Sequence, residues 1–361
     1  MKIKLLDRYI ASKFLKTFAV TIALFVVIII VFDIAEKLDD FLGRQAPIKD
    51  IIGVYYVNFI PALLNTFSPI FIFISSLYLT SRLASRTEII SMLAGGLSLR
   101  RILLPFMAVG AILALGSYWL NSWVIPITDK KRVRFENMYL RDYWAQARGT
   151  IFRQIAPETI LYMEYFNNND SSGVGVTLEK YKGKELQSSL FGRFIRWDKD
   201  VQKWRLEMVT QREFLPGGSQ KVQYKQRLDT LIGFNPNHFF FYIEDAQSLN
   251  NNELRRYLQN EMQRGGPNVL HLKTELMRRY AAPFSTFILI FIAVCVAGRK
   301  SRNGLGFSMG VGIFVILFFL FFSKFFISYG QTGILPPLLA VWLPNLVFVP
   351  VAWAFYHKAQ K

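Results

Sequence analysis

Long apolar runs occupy the two ends of this 361-residue chain, and between them the pattern shortens to apolar and polar positions that alternate. The first run, Thr17 to Phe32, approaches the roughly 20 residues of a spanning helix once Phe14 and Leu15 are added. It gives way to Asp33-Ile-Ala-Glu36 and not to a small-residue cleavage site, so it predicts a retained span rather than a secretory signal. Ile51 to Ser81 carries no charge and predicts a second span, with kinks at Pro61 and Pro69 and with Asn58 and Asn65 in need of partners inside a bundle. A third runs from about Ile102 to Trp123, and Trp119, Trp123 and Pro126 mark its exit through an interface. Three more are predicted near the other end, over Tyr280 to Gly298, Gly304 to about Ser328, and Leu338 to Tyr356.

The alternating region predicts strands over Thr150 to Ile155, Ile160 to Phe166, Val174 to Tyr181, Leu190 to Trp197, Lys203 to Val209, Gln220 to Arg227 and His238 to Ile243. Asn167-Asn-Asn-Asp170, Lys182-Gly183, Asp198-Lys-Asp200 and Pro216-Gly217-Gly218 separate them as turns. Seven or eight strands at this spacing predict a jelly roll or sandwich. Asn250-Asn-Asn-Glu253 then opens a helix with a capping box, stapled by Leu249 and Leu254 and stopped at Gly265-Gly-Pro267. The expected fold is an α-helical membrane protein with six transmembrane helices, three plus three, around an inserted extracytoplasmic all-β jelly-roll or sandwich domain. Residues 1–127 form the first three spans, 128–248 the β-domain, and 249–361 the connecting helix and last three spans.

Composition agrees: 52% hydrophobic residues with 33 Phe is too apolar for a soluble domain of this length. Charge sets the orientation. The segments Lys2 to Lys16, Arg82 to Arg101, Arg299 to Arg302 and Lys358 to Lys361 hold fourteen Lys and Arg against Asp7 and Glu88 alone. Asp33 to Asp50, on the other side of the first span, has five carboxylates against three cations. Both termini are therefore expected in the cytoplasm and the β-domain outside. The net charge of +18 reflects topology, and no nucleic-acid partner is expected. Cys295 is the single cysteine and the three histidines are scattered, so neither a disulfide framework nor a metal site is expected. No phosphate loop, nucleophile elbow or HExxH motif occurs, and the chain is read as having no catalytic residues and no cofactor.

Two clusters carry the functional expectations. The polar stretch Arg82 to Arg101 lies between two apolar runs, and Thr87-Glu88 followed by Ile89, Ile90, Met92, Leu93 and Gly95-Gly96 predicts a short amphipathic helix within about residues 84–98. Arg86, Glu88, Ile89 and Met92 are its candidate contacts to a cytosolic partner. A connector lying on headgroups would explain the arginines equally well, but not a carboxylate placed beside anionic lipid. The second cluster is Lys37, Lys130, Lys131, Arg134, Arg278, Arg279 and Lys324, all expected at the outer boundary, where positive-inside bias disfavours cations. Snorkelling explains each alone. An anionic lipid headgroup explains them jointly, because phosphate accepts charge-assisted bonds from Lys and Arg. Gly306 and Gly310, overlapped by Ser308 and Gly312, give the fifth span a small-residue face suited to close helix packing.

Leu6-Asp7-Arg8-Tyr9-Ile10, the Arg86-Thr-Glu88 to Gly96 loop, Trp123-Val-Ile-Pro126 and the three-plus-three arrangement around a β-domain resemble the lipopolysaccharide export permeases of the LptF/LptG (YjgP/YjgQ) type over the whole chain. The Leu-Asp-Arg-Tyr opening looks more like the G-type subunit. The resemblance implies a subunit of an ATP-binding-cassette transporter in the bacterial inner membrane. Such a subunit pairs with a second permease, helices 1 and 5 of the two enclosing a lipid cavity. A cytosolic ATP-binding subunit dimer grips the loop between helices 2 and 3, and lipopolysaccharide passes to a periplasmic bridge protein with its own β-jelly roll. It also implies that Glu88 is the coupling carboxylate and that Arg134 meets lipopolysaccharide. Asp33, Asp39 and Asp40 depart from the lysines common in the G-type subunit, and Asn137 stands where a second arginine is usual. The other expectation is a non-transporting receptor or scaffold whose β-domain binds an envelope partner.

Overall fold

The hydropathy runs become helices that outlast them. The computed structural model describes residues 4–140, 151–156, 158–167, 171–183, 185–198, 201–215, 218–230, 243–263, 268–298 and 304–360. Among these, six helices are long and apolar enough to cross a membrane: α1 (Leu5–Gly43), α2 (Ile48–Ser85), α4 (Leu99–Tyr139), α6 (Val269–Ala297), α7 (Gly304–Thr332) and α8 (Pro337–Gln360). Between them lie the short α3 (Glu88–Ala94) and α5 (Asn251–Gln263). The 39 residues of α1 rise ~58 Å, about twice the hydrocarbon thickness, so its ends project beyond it. Hydropathy marks where lipid ends and not where the helix does. Thus α4 continues past Trp123 and Pro126 to Tyr139, through a π-helical turn at Leu120–Val124, and α6 begins eleven residues before Tyr280.

The chain divides into two compact units. One comprises Met1–Phe135, Gln247–Asn252 and Leu270–Lys361; the other, Glu136–Ala246 and Glu253–Val269. In the first, Ile10 and Phe14 of α1 pack with Leu79 and Leu83 of α2, Ile102 and Phe106 of α4, Ile290 and Val294 of α6, and Tyr356 of α8. Asn65 finds its expected partner across the bundle, accepting from Ser117 Oγ at 2.7 Å, whereas Asn58 donates to Val54 of its own helix. The close helix approach is at Gly312, where a Cβ would come within 2.2 Å of Leu77. Gly306 and Gly310, expected to make it, face open space within the chain. Two residues along a helix, a rotation of ~200°, are enough to move a small-residue face from one neighbour to another.

In the second unit six strands form one antiparallel sheet in chain order: β1 (Ile151–Ala156), β2 (Thr159–Asn167), β3 (Ser172–Lys182), β4 (Glu185–Asp198), β5 (Lys203–Phe214) and β6 (Gln220–Thr230). Each pairs with its sequence neighbours, so the described strands make a meander without the crossovers of a jelly roll. The predicted strand from His238 lies outside the described residues up to Ile243, where a 3-10 turn, Ile243–Ser248, begins. Alternation puts Leu161, Met163, Val176, Ile195, Trp204, Leu206 and Val209 into one apolar layer. β6 is the exception, with nearly every residue exposed and, among the described strands, a neighbour on one side only.

Candidate functional site

Two left-handed corners set α3 apart from its neighbours. Thr87 (φ 60°) turns the chain out of α2, and Gly96 (φ 86°) closes α3 with a Schellman pair: Gly96 N–H to Leu93 O at 3.0 Å and Leu97 N–H to Met92 O at 3.1 Å. The helix lies with one face on the bundle. Ile89 is 1% exposed within the core cluster and Met92 packs against it. On the other face Arg86 is exposed, with Ile90 at 37% and Leu93 at 38%. Glu88 lies between, accepting from Tyr9 Oη at 2.7 Å with Lys13 Nζ at 3.5 Å, so its carboxylate fastens α3 to α1. Of the four residues expected to meet a partner, Arg86 alone is fully outward; Ile89 and Met92 hold the helix in place. Nearby, Arg101 pairs with Asp7 at 2.7 Å, and Arg100 Nε donates to Tyr356 Oη at 2.8 Å.

The expected cation ring separates into two kinds of residue. Arg278 is held by both oxygens of Glu275 at 2.8 Å. Arg279 is 1% exposed and donates to Leu249 O at 2.8 Å, Asn251 Oδ1 at 3.0 Å and Glu275 Oε1 at 3.3 Å. Its donors are spent on clamping the start of α5 to α6, which takes it out of the headgroup set. Lys37 bonds Asp33 and Tyr55, with its ammonium 5.0 Å from the Tyr55 ring centre. Tyr56 Oη also donates to Asp33, at 3.1 Å. Lys130, Lys131 and Arg134 on the extension of α4, and Lys324 on α7, are exposed. A fixed ion pair has lost most of its attraction for a third charge, so Lys131, Arg134 and Lys324 are the stronger headgroup candidates. Among the described residues, no three His, Cys, Asp or Glu side chains converge as a metal site.

Residues 8–358 match the family model for the lipopolysaccharide export system permease LptF/LptG. The chain belongs to that family. It is also 20% identical to the lipopolysaccharide export system permease protein LptG of two strains of Escherichia coli, over 98% of this chain and 98% of each relative. With six apolar helices, this permease is a multi-pass membrane protein. Sequence reasoning missed Ile90 and Leu93 as its outward residues and Tyr9 and Lys13 as partners of Glu88. The spacing of Tyr9 and Lys13, four apart on a helix, was the available signal for a shared face.

Proposed function

We propose that the permease is the transmembrane subunit of an ATP-driven transporter that extracts lipopolysaccharide from the bacterial inner membrane and passes it to a periplasmic bridge protein. Both termini and α3 lie in the cytoplasm and the β-domain in the periplasm. ATP hydrolysis comes from a separate cytosolic subunit dimer, and a second permease of the family completes the cavity. The observation that carries this reading is the orientation of α3, whose buried face is tied to the bundle while Arg86, Ile90 and Leu93 stay outward. A helix that only rested on headgroups would not need a carboxylate fastening it to α1. Family membership supports the same reading over a receptor or scaffold. Lys131, Arg134 and Lys324 are the candidate phosphate contacts, and the edge that β6 forms among the described strands is the candidate bridge contact.

The test is Ile90→Asp with Leu93→Asp, scored by co-purification of the ATP-binding subunit. Desolvated apolar contacts at an interface centre are sensitive to charge, so binding should fall at least tenfold at normal permease abundance. Wild-type co-purification would remove α3 from the coupling role. Ile89→Asp should instead lower abundance, because it buries a carboxylate in the core.

A further inference from the structure

Between α1, α2 and α7 lies a cleft of about 450 Å³. Lys16 and Arg82 stand at one end; Val20, Leu24, Phe25 and Ile74 form the other. The polarity follows from antiparallel packing. The Phe25 and Phe71 rings meet at 5.4 Å, so nine residues back along α1 and eleven on along α2 bring both cations to the same level. That level is ~13 to 16 Å from the apolar end at 1.5 Å per residue. Thr17 and Tyr78 also line the cleft, supplying hydroxyls. Among the described residues, no carboxylate pairs with Lys16 or Arg82, unlike Lys37, Arg101 or Arg278.

We propose that this cleft holds one anionic glycerophospholipid of the cytoplasmic leaflet, with its phosphate between Lys16 and Arg82 and an acyl chain along Val20, Leu24 and Phe25. Two cations without a carboxylate favour a headgroup of net negative charge over a zwitterionic one, whose own ammonium would be repelled. The volume falls within the range of small-ligand sites. Lys16 lies 21 residues from Lys37 on α1, or ~32 Å, one hydrocarbon thickness from the outer cations. The site is therefore separate in height from the outer cations proposed to meet cargo, although it lies on the same two spans. Only the choice of leaflet rests on the proposed orientation; binding does not rest on transport.

The full chain, purified in detergent and offered equimolar phosphatidylglycerol and phosphatidylethanolamine, is examined by native mass spectrometry. Wild type should retain one phosphatidylglycerol per chain, at least tenfold over phosphatidylethanolamine. Lys16→Gln with Arg82→Gln should abolish that preference. Thr21→Phe, which fills the cleft and leaves both cations, should lower retention as far. Lys4→Gln with Arg8→Gln removes equal charge at the same end of α1 and should retain lipid like wild type. Equal retention of the two lipids by wild type, or undiminished phosphatidylglycerol in either cleft variant, would overturn the proposal. So would displacement by added lipopolysaccharide, which would make the cleft part of the cargo path. A photocrosslinker at Val20 in membranes should label lipid; capture of a second protein chain instead would make the groove a helix interface. None of these outcomes bears on ATP-binding-subunit association, so the coupling reading stands or falls separately.

Discussion

Tyr9 and Glu88, 79 positions apart, share a 2.7 Å hydrogen bond that joins the first helix to the short helix between the second and third spans. Lys13 completes the group, its ammonium 3.5 Å from the same carboxylate oxygen and 4.0 Å from the Tyr9 ring centre. The carboxylate that the sequence offered as a contact to a partner also ties the short helix to α1.

A double-mutant cycle tests this positioning role. Tyr9→Phe and Glu88→Gln should each weaken ATP-binding-subunit association by up to about 1.5 to 3 kcal/mol, the range for a hydrogen bond to a charged group. Together they should cost little more than either alone, because both remove one interaction. Glu88→Lys should be worse than Glu88→Gln, since it brings a second ammonium to Lys13. Additive losses in measured affinity would place the two residues in separate roles.

Arg279 and the pair Arg134 and Lys324 should fail in different ways. Arg279→Met leaves the carbonyls of Leu249 and Gln247 and the Asn251 amide without a buried donor, at a cost of about 3 kcal/mol. It should appear as low abundance and early thermal unfolding. Arg134→Gln with Lys324→Gln should leave abundance unchanged and reduce lipopolysaccharide bound per purified complex at least tenfold. Full lipid occupancy in the double variant would remove both from the headgroup site.

The contrast shows how far the sequence was legible. Spans, strand positions and the short helix followed from periodicity and charge, because burial in lipid or in a sheet imposes long repeated patterns. Orientation did not follow. Arg278 and Arg279 are adjacent and identical, yet a rotation of ~100° per residue leaves one part-exposed and buries the other. Ile89 and Ile90 present the same problem, since a helix of seven residues with apolar side chains at five positions has no clear moment to read. Gly306, Ser308, Gly310 and Gly312 are all small, and only the packing of Leu77 selects Gly312.

The corners of α3 give a pair of opposite expectations. Thr87 holds a left-handed conformation that β-branched residues disfavour, so Thr87→Gly should raise the thermal midpoint in detergent, gaining up to about 1 kcal/mol. Gly96→Val puts the same strain where none exists now and should cost about 1 to 2 kcal/mol and fray the Schellman end. Shifts of the same sign for both variants would show that the backbone conformation does not control the helix.

Photocrosslinkers on β6, at Lys221, Gln223 and Lys225, should capture a periplasmic partner if that strand is the edge that extends into a bridge protein. Lys221, Lys225 and Arg227 fit an edge guarded against indiscriminate pairing. Crosslinks from β1 in place of β6 would move the contact to the opposite edge, and capture from neither would favour a domain that only caps the helices.

The tie between Arg100 and Tyr356 spans 256 positions, whereas every strand of the sheet pairs with its immediate neighbours in the chain. During synthesis the six described strands have all their mutual partners once Thr230 has emerged, but the α4 end of the bundle must wait for α8. The membrane half is thus the last part to mature. A ribosome stalled before Pro337 would leave a finished β-domain attached to a half-built bundle, its Arg100 still waiting for a partner, a species that membrane quality control could recognise by that open seam.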